Sequence, residues 1–348
     1  MYKVKFTPYR PELGTIYHRQ TRGHGMMSLD GRYRFYIDEE VENPDFWIVQ
    51  GKGVRVPETC NVAPENVIFL ATEPRSVLVY PKKYLSQFGH VCVCQKGVKV
   101  NNGFTQVHYT PAILPWFIGY KENAEGVVTA NLDFDAFASS PTPEKTKLLS
   151  VISSDKAFTR GHIDRIRFVN KLKEHFGNRL DVFGRGSNPF DDKYEVLAPY
   201  KYHIVIENSS EPYYWTEKLG DCYLAESFPF YHGCTNVGDY FPREAFEPID
   251  IRRPEQAIDI IERQIDRERY ESSSHILGEC KRRMLEEYNM FEFIAHFCDN
   301  LDAALPKREV TILPCKSSSD WHNLWNYTIG RNYYNLIGKT IITANPNR

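Results

Sequence analysis

The sequence predicts an α/β protein built from two Rossmann-like domains in tandem. Three observations carry this expectation. Short β-branched and aromatic runs recur between polar loops in the first part of the chain: Phe46-Trp47-Ile48-Val49, Val67-Ile68-Phe69-Leu70 and Val91 to Val93. Such runs are what strands of a parallel sheet, covered on both faces, look like. Residues 139–147, SSPTPEKTK, then have the Ser, Pro and charge content of a linker. After them the strand–helix pattern restarts with the lengths of a βαβ unit. At 348 residues the chain is long enough for two domains of ordinary size. The expected divisions are an N-terminal domain over 1–145, a C-terminal domain over 146–305 and an aromatic-rich tail over 306–348.

In the second domain, Leu148 to Ile152 reads as the opening strand. Ile163 to Phe176 follows as a helix with Ile163, Ile166, Val169 and Leu172 on one face, and Gly177 stands where a helix-ending glycine belongs. Leu180 to Phe183 is the next strand and closes on Gly184-Arg185-Gly186. Tyr202 to Ile206 is another, with Glu207, Asn208, Ser209 and Ser210 crowded at its end. Thr216-Glu217-Lys218 open a helix, and Phe228 to Tyr231 returns as a strand. Ligands of open α/β sheets bind beyond the carboxyl ends of the strands. A carboxylate, an amide and an ammonium at that address suit a nucleotide sugar. Pro254 is expected to start a helix reaching about Arg269, and Ser274 to Leu301 reads as one further helix.

Several function classes are disfavoured. A net charge of −2 gives no footprint for nucleic acid. No run of about eighteen apolar residues occurs, and the start MYKVKFTPYR lacks the apolar core of a signal peptide, so a cytoplasmic protein is expected. Eight scattered cysteines without a CxxC read as free buried thiols in a reducing compartment. His18, His24, His108, His162, His203 and His232 have no ligating or triad spacing, and neither GxSxG nor a phosphate-binding GxxxxGK[ST] occurs. Asp191-Asp192 and Asp133-x-Asp135 read as loop charges, so no metal site is expected. In the tail, Trp321, Leu324 and Trp325 share a helical face. Packing back on the N-terminal domain is the leading expectation for it, and peripheral membrane contact is the alternative.

The stretch from Tyr200 to Asp250 resembles the donor-binding motif of the α-1,3/1,4-fucosyltransferases, glycosyltransferase family 10, of a bacterial or viral type without a membrane anchor. The matching positions are Tyr200-Lys201, Glu207-Asn208-Ser209, Tyr214-Trp215-Thr216-Glu217-Lys218-Leu219 and Pro229-Phe230-Tyr231-His232-Gly233, in the family's order and spacing. The resemblance runs over about residues 148–262 and thins before them. It implies the GT-B arrangement, two Rossmann-like domains facing each other across a cleft, with an oligosaccharide or glycolipid acceptor held mainly by the first. It implies transfer of L-fucose from GDP-β-L-fucose, with protein cations rather than a metal or other cofactor neutralising the leaving diphosphate.

Carried over residue by residue, the resemblance assigns Lys218 and Arg165 to the leaving group. Arg165 lies in SSDKAFTRGHIDRIRFVNKL, where Ser154-Asp155 replaces the family's Ser-Asn; Arg160 and then Arg167 are its rivals. Glu217 matches a carboxylate for the donor sugar or ribose, and Asn208 and Tyr214 are expected beside it. Glu207 is open between ligand and structural acid. Glu73, in NVIFLATEPRS, matches a strand-end glutamate and is the expected catalytic base, with Asp45 a weaker candidate. Trp215 replaces a smaller residue and leaves open another nucleotide-sugar donor; a non-catalytic glycan-binding relative is the third reading.

Overall fold

The computed structural model describes residues 1–122, 128–184, 187–316, 321–325 and 330–343. Its frame is two wholly parallel sheets. The first contains β1 (Tyr2–Thr7), β2 (Tyr33–Ile37), β3 (Phe46–Gln50), β4 (Val67–Leu70), β5 (His90–Val93) and β6 (Gln106–Tyr109), in the order β2-β1-β3-β4-β5-β6. The second contains β7 (Lys147–Ile152), β8 (Leu180–Phe183), β9 (Tyr200–Ile206), β10 (Phe228–His232) and β11 (Glu247–Pro248), in the order β8-β7-β9-β10-β11. In each sheet the order reverses once, between β1 and β3 and between β7 and β9. That reversal opens the crevice in which such sheets bind ligands.

The two-residue period of the strands explains their depth. In β3, Phe46 and Ile48 enter one apolar core while Trp47 and Val49 enter the core on the other face. A strand buried on both sides has no polar face, which is why it reads as a continuous apolar run.

Helix α1 (Arg160–Phe176) begins three residues before the expected start, because Thr159 Oγ1 accepts from His162 N and caps it there. Gly177, at φ +51°, ends it as expected. Helix α2 (Glu217–Leu224) is capped by Thr216, and α3 (Pro254–Asp266) follows β11. The single helix expected over 274–301 is instead two, α4 (Arg269–Glu286) and α5 (Met290–Cys298). Asn289 separates them: its Oδ1 accepts from Phe291 N at 2.9 Å and starts a new helix, while its Nδ2 donates to Gln20 O at 2.6 Å.

The chain crosses between the two sheets more than once. Trp116, Ile118, Phe134 and Phe137 join the core of the second sheet, whereas Met290, Phe291 and Ile294 of α5 join that of the first. The strand Arg308–Ile312 pairs antiparallel with Glu58–Val62. Asn323 brackets Val79, accepting from its N–H at 2.8 Å and donating to its carbonyl at 2.6 Å. Helix α6 (Arg331–Thr343) instead lays Tyr334, Ile337 and Ile341 on Ala157, Ile163 and Ile166. Leu324 and Trp325 are exposed. The Trp321 side chain and the Arg185-Gly186 turn lie outside the described residues. Among the described residues there is no disulfide and no helix long and apolar enough to cross a membrane, and seven cysteines are buried.

Two expected loop charges have structural work instead. Asp192 is buried, and its Oδ1 accepts from both Tyr194 N and Gly119 N at 2.8 Å. Asp133 caps the helix Phe134–Ser139 through Ala136 N at 2.8 Å.

Candidate active site

The carboxyl ends of the two sheets face each other across a cavity of about 440 Å³. Thr72 and Glu73, which follow β4, line it from the first half, with Tyr9 and Arg10. Ser154 after β7, His162 and Arg165 of α1, Asn208 after β9, Tyr214, Glu217 and Lys218 line it from the second. A smaller cavity of about 210 Å³ adjoins it and shares Ser154, Arg165, Glu217 and Lys218. Beside the cleft the halves are tied by a hydroxyl pair, Ser76 Oγ to Ser209 Oγ at 2.5 Å, and by the stacked rings of Tyr109 and Tyr213. A larger groove, about 1000 Å³, lies on the first half beside Asp38 to Asn43, but its buried Lys5 already pairs with Glu58 at 3.0 Å.

Arg165 is the most telling cation. It is 6% exposed, yet its guanidinium donates only to neutral oxygens: Asn208 Oδ1 at 3.4 Å, Ser154 Oγ at 3.1 Å and the Ser154 carbonyl at 3.3 Å. Its Nε has no partner at all. Burial lowers its pKa to about 10, with Asp155 opposing. A buried charge is tolerated when paired, so this one stands ready for an anion. The rivals lie elsewhere: Arg160 and Arg167 line a groove on the outer face of α1, and the Arg160 side chain is 82% exposed.

The adjoining wall sets two carboxylates and a hydroxyl around one ammonium. Lys218 Nζ lies 3.2 Å from Glu207 Oε2, 3.1 Å from Thr216 Oγ1 and 3.5 Å from Glu217 Oε1. Burial alone would depress this ammonium, but Glu207 and Glu217 outweigh it, so Lys218 stays protonated. Glu217 is likewise pushed up by burial and pulled further down by Lys218 and Lys193, so it is ionised.

Glu207 lines neither cavity. Its Oε1 accepts from Thr216 N at 2.8 Å, and its Oε2 accepts from Thr216 Oγ1 at 2.9 Å and from Lys218. It therefore braces the start of α2 from beneath. The motif's glycine serves the same packing, since a Cβ on Gly233 would fall 2.5 Å from Glu207 Cγ and from Tyr231 Oη. Gly161 is small for a similar reason: a Cβ there would meet the Asn208 carbonyl at 2.4 Å. Tyr214 is 1% exposed and packs on Cys94 and Ala112 from the first half.

Glu73 approaches from the other side. Its backbone carbonyl accepts from Gln95 Nε2 at 2.8 Å, which fixes the turn into Pro74. Its side chain faces the cavity. Burial raises its pKa to about 7, with Lys218 opposing and Glu217 adding to the rise. Asp45, by contrast, precedes β3 at the amino end of the strands, opposite the cavity, where it accepts from Lys3 N at 2.8 Å and pairs with Lys307 at 2.7 Å.

The structure thus brings Glu73, Arg165, Asn208, Tyr214, Glu217 and Lys218 around one space and places Glu207 under it. Trp215 lines neither cavity; it is wedged edge-on among Tyr240, Phe241 and Tyr288, so its bulk stays outside both. His162, which has no ligating or triad spacing to another histidine, also lines the cavity. It is 5% exposed, its Nδ1 lies 3.1 Å from Thr159 Oγ1, and burial with Arg165 and Lys156 nearby pushes its pKa to about 3. The Thr-x-x-His pattern of a capped first turn was the available signal.

Residues 142–276 match the model of the family described as glycosyltransferase family 10 (fucosyltransferase) C-term. This segment is similar to the C-terminal part of that family. The chain is similar to the α-(1,3)-fucosyltransferase FucT of Helicobacter pylori, at 34% identity over 71 residues, 20% of this chain and 15% of that protein. It is also similar to the human 4-galactosyl-N-acetylglucosaminide 3-α-L-fucosyltransferase FUT6, at 34% over 91 residues, 25% of each chain. The matches therefore span a quarter or less of these relatives. Among solved structures, an α1,3-fucosyltransferase with GDP aligns over 83% of this chain and 92% of its own at 16% identity and a TM-score of 0.45. The matched segment contains β7 to β11 and α1 to α3, and with them every cation described at the cavity except Arg10.

Proposed function

We propose that the protein transfers L-fucose from GDP-β-L-fucose to a hydroxyl of a glycan, an oligosaccharide or glycolipid, with inversion at the anomeric carbon. One observation carries this reading: a buried Arg165 that donates only to neutral oxygens and a fixed Lys218 face a strand-end carboxyl, Glu73, that comes from the other half of the molecule. Base and cations thus bracket the space where a sugar would lie.

In this mechanism Glu73 takes the proton of the acceptor hydroxyl, and that oxygen attacks C1 of the fucose from the face opposite the diphosphate. The C1–O bond to the β-phosphate breaks, its electron pair stays on GDP, and Glu73 ends protonated. Arg165 and Lys218 neutralise the charge that develops on the diphosphate, a task for which a forked guanidinium and a point-like ammonium are both suited. The N–H groups at the start of α2 favour the same anion. Glu217, ionised, accepts hydrogen bonds from donor hydroxyls, and Asn208 orients both Arg165 and the sugar. The protein's own cations are assigned the role that a metal has in other transferases.

Thermal unfolding with GDP, UDP, CMP and ADP, then with GDP-fucose and GDP-mannose, tests the donor. Selective stabilisation by GDP and GDP-fucose is expected; a ligand at ~100 times its Kd adds about 2.7 kcal/mol. A response confined to another nucleotide would replace the donor.

A further inference from the structure

Lys193 opens the short helix Lys193–Leu197, in the stretch whose charges the sequence offered only as loop. It lines the 210 Å³ cavity together with Arg165, Glu217 and Lys218. That cavity sits over Ile152 and Ile206, the ends of β7 and β9, at the reversal point of the second sheet. Lys193 Nζ lies 2.5 Å from Asp221 Oδ2 and 5.6 Å from the centre of the Phe117 ring. Asp221 is on α2, one turn beyond Glu217 and Lys218, and is 1% exposed.

The placement of Lys193 is tightly determined. Asp221 Oδ1 accepts the backbone N–H groups of Phe117 at 3.0 Å and Ile118 at 3.2 Å, so the carboxylate is held by backbone of the segment that joins the core of the second sheet. An ammonium has three protons to donate. Asp221 takes one, and the cavity lies open to the others. Cations from three separate elements, α1, α2 and the helix at Lys193, therefore converge on one small space. Two carboxylates, Glu217 and Asp221, share that space, and Glu207 answers Lys218 from beneath, which leaves Arg165 as the lining cation with no ion pair.

We propose that Lys193, positioned by the buried Asp221, is a third donor-binding cation that takes a phosphate oxygen of the nucleotide sugar's diphosphate. This rests on the nucleotide-sugar reading of the cavity but not on the identity of the base or the sugar. Inorganic pyrophosphate is for that reason the first probe, and GDP the second.

Calorimetric titration of the full chain compares wild type, Lys193→Met, Lys193→Arg and the double variant Lys193→Met/Asp221→Asn. The double variant removes both charges, so it avoids leaving a buried Asp221 alone. Loss of one charged hydrogen bond is expected to weaken pyrophosphate and GDP about tenfold or more in both Met variants, with recovery in the Arg variant. The KM for the donor should rise with them while the KM for the acceptor holds. A folded double variant that binds pyrophosphate as tightly as wild type overturns the proposal and leaves the nucleotide-sugar reading standing. Wild-type protein that binds neither pyrophosphate nor GDP overturns both.

Discussion

Replacing Glu73 by Gln is expected to lower kcat by about 10²–10⁴-fold while GDP binds as before, because it removes a positioned general base and nothing that touches the diphosphate. The wild-type kcat/KM should rise with pH through about 7 and then level, since burial holds the Glu73 carboxyl at that value and only the ionised form accepts a proton. The Gln variant should lose this limb. Stability gives an independent sign. The folded pKa, about 7, lies above the ordinary 4.5, so the native state binds the proton more tightly than the unfolded chain does. The resulting stability is fully present below 4.5 and is lost as pH rises through about 7. At pH 8 the wild type must carry an ionised, half-buried Glu73, and Glu73→Gln should therefore melt higher. A variant that keeps its rate and its pH limb would move the base elsewhere.

Arg165→Met and Lys218→Met should both cripple transfer, by about 10²–10³-fold in kcat, as expected for removing one group that stabilises transition-state charge. Their stabilities should diverge. Lys218 neutralises Glu207 and Glu217, so its loss leaves a buried carboxylate uncompensated and is expected to cost up to about 3 kcal/mol, the lower part of the range for buried pairs because the side chain is 29% exposed. Arg165 makes no ion pair and contacts only the oxygens of Asn208 and Ser154, with Asp155 acting from farther away, so its loss should be neutral or stabilising. Melting curves of the two variants beside steady-state kinetics separate these outcomes. Equal destabilisation would mean that Arg165 is part of the scaffold rather than a cation awaiting its ligand.

The parts of the fold that were legible in the sequence are those where local chemistry decides. β3 and β4 are buried on both faces, which leaves an apolar run at each, and β7 and β9 keep most of such a run around Ser150, Lys201 and His203. Thr216 and Gly177 mark their helix ends by capping and by positive φ, and both effects are local. The site residues after β9 were legible because the spacing of a strand, a turn and a helix start fixes where Asn208, Glu217 and Lys218 fall. What escaped depends on long-range packing. An apolar helix face does not say which sheet it covers, so α5 on the first sheet and Trp116 on the second were invisible. The break at Asn289 needed Gln20 as partner, and Trp215 needed Tyr240, Phe241 and Tyr288. Glu207 and Lys193 had the right residue types, but only the structure tells a strut beneath the cavity from a cation lining it.

The most direct measurement is the anomeric configuration of the product, read by proton NMR after incubation with GDP-β-L-fucose and a panel of glycan acceptors. Formation of an α-L-fucoside, with GDP released in equal amount, is the predicted result, since one displacement assisted by Glu73 inverts the centre. A β-L-fucoside, or transfer only from a different nucleotide sugar, would contradict it.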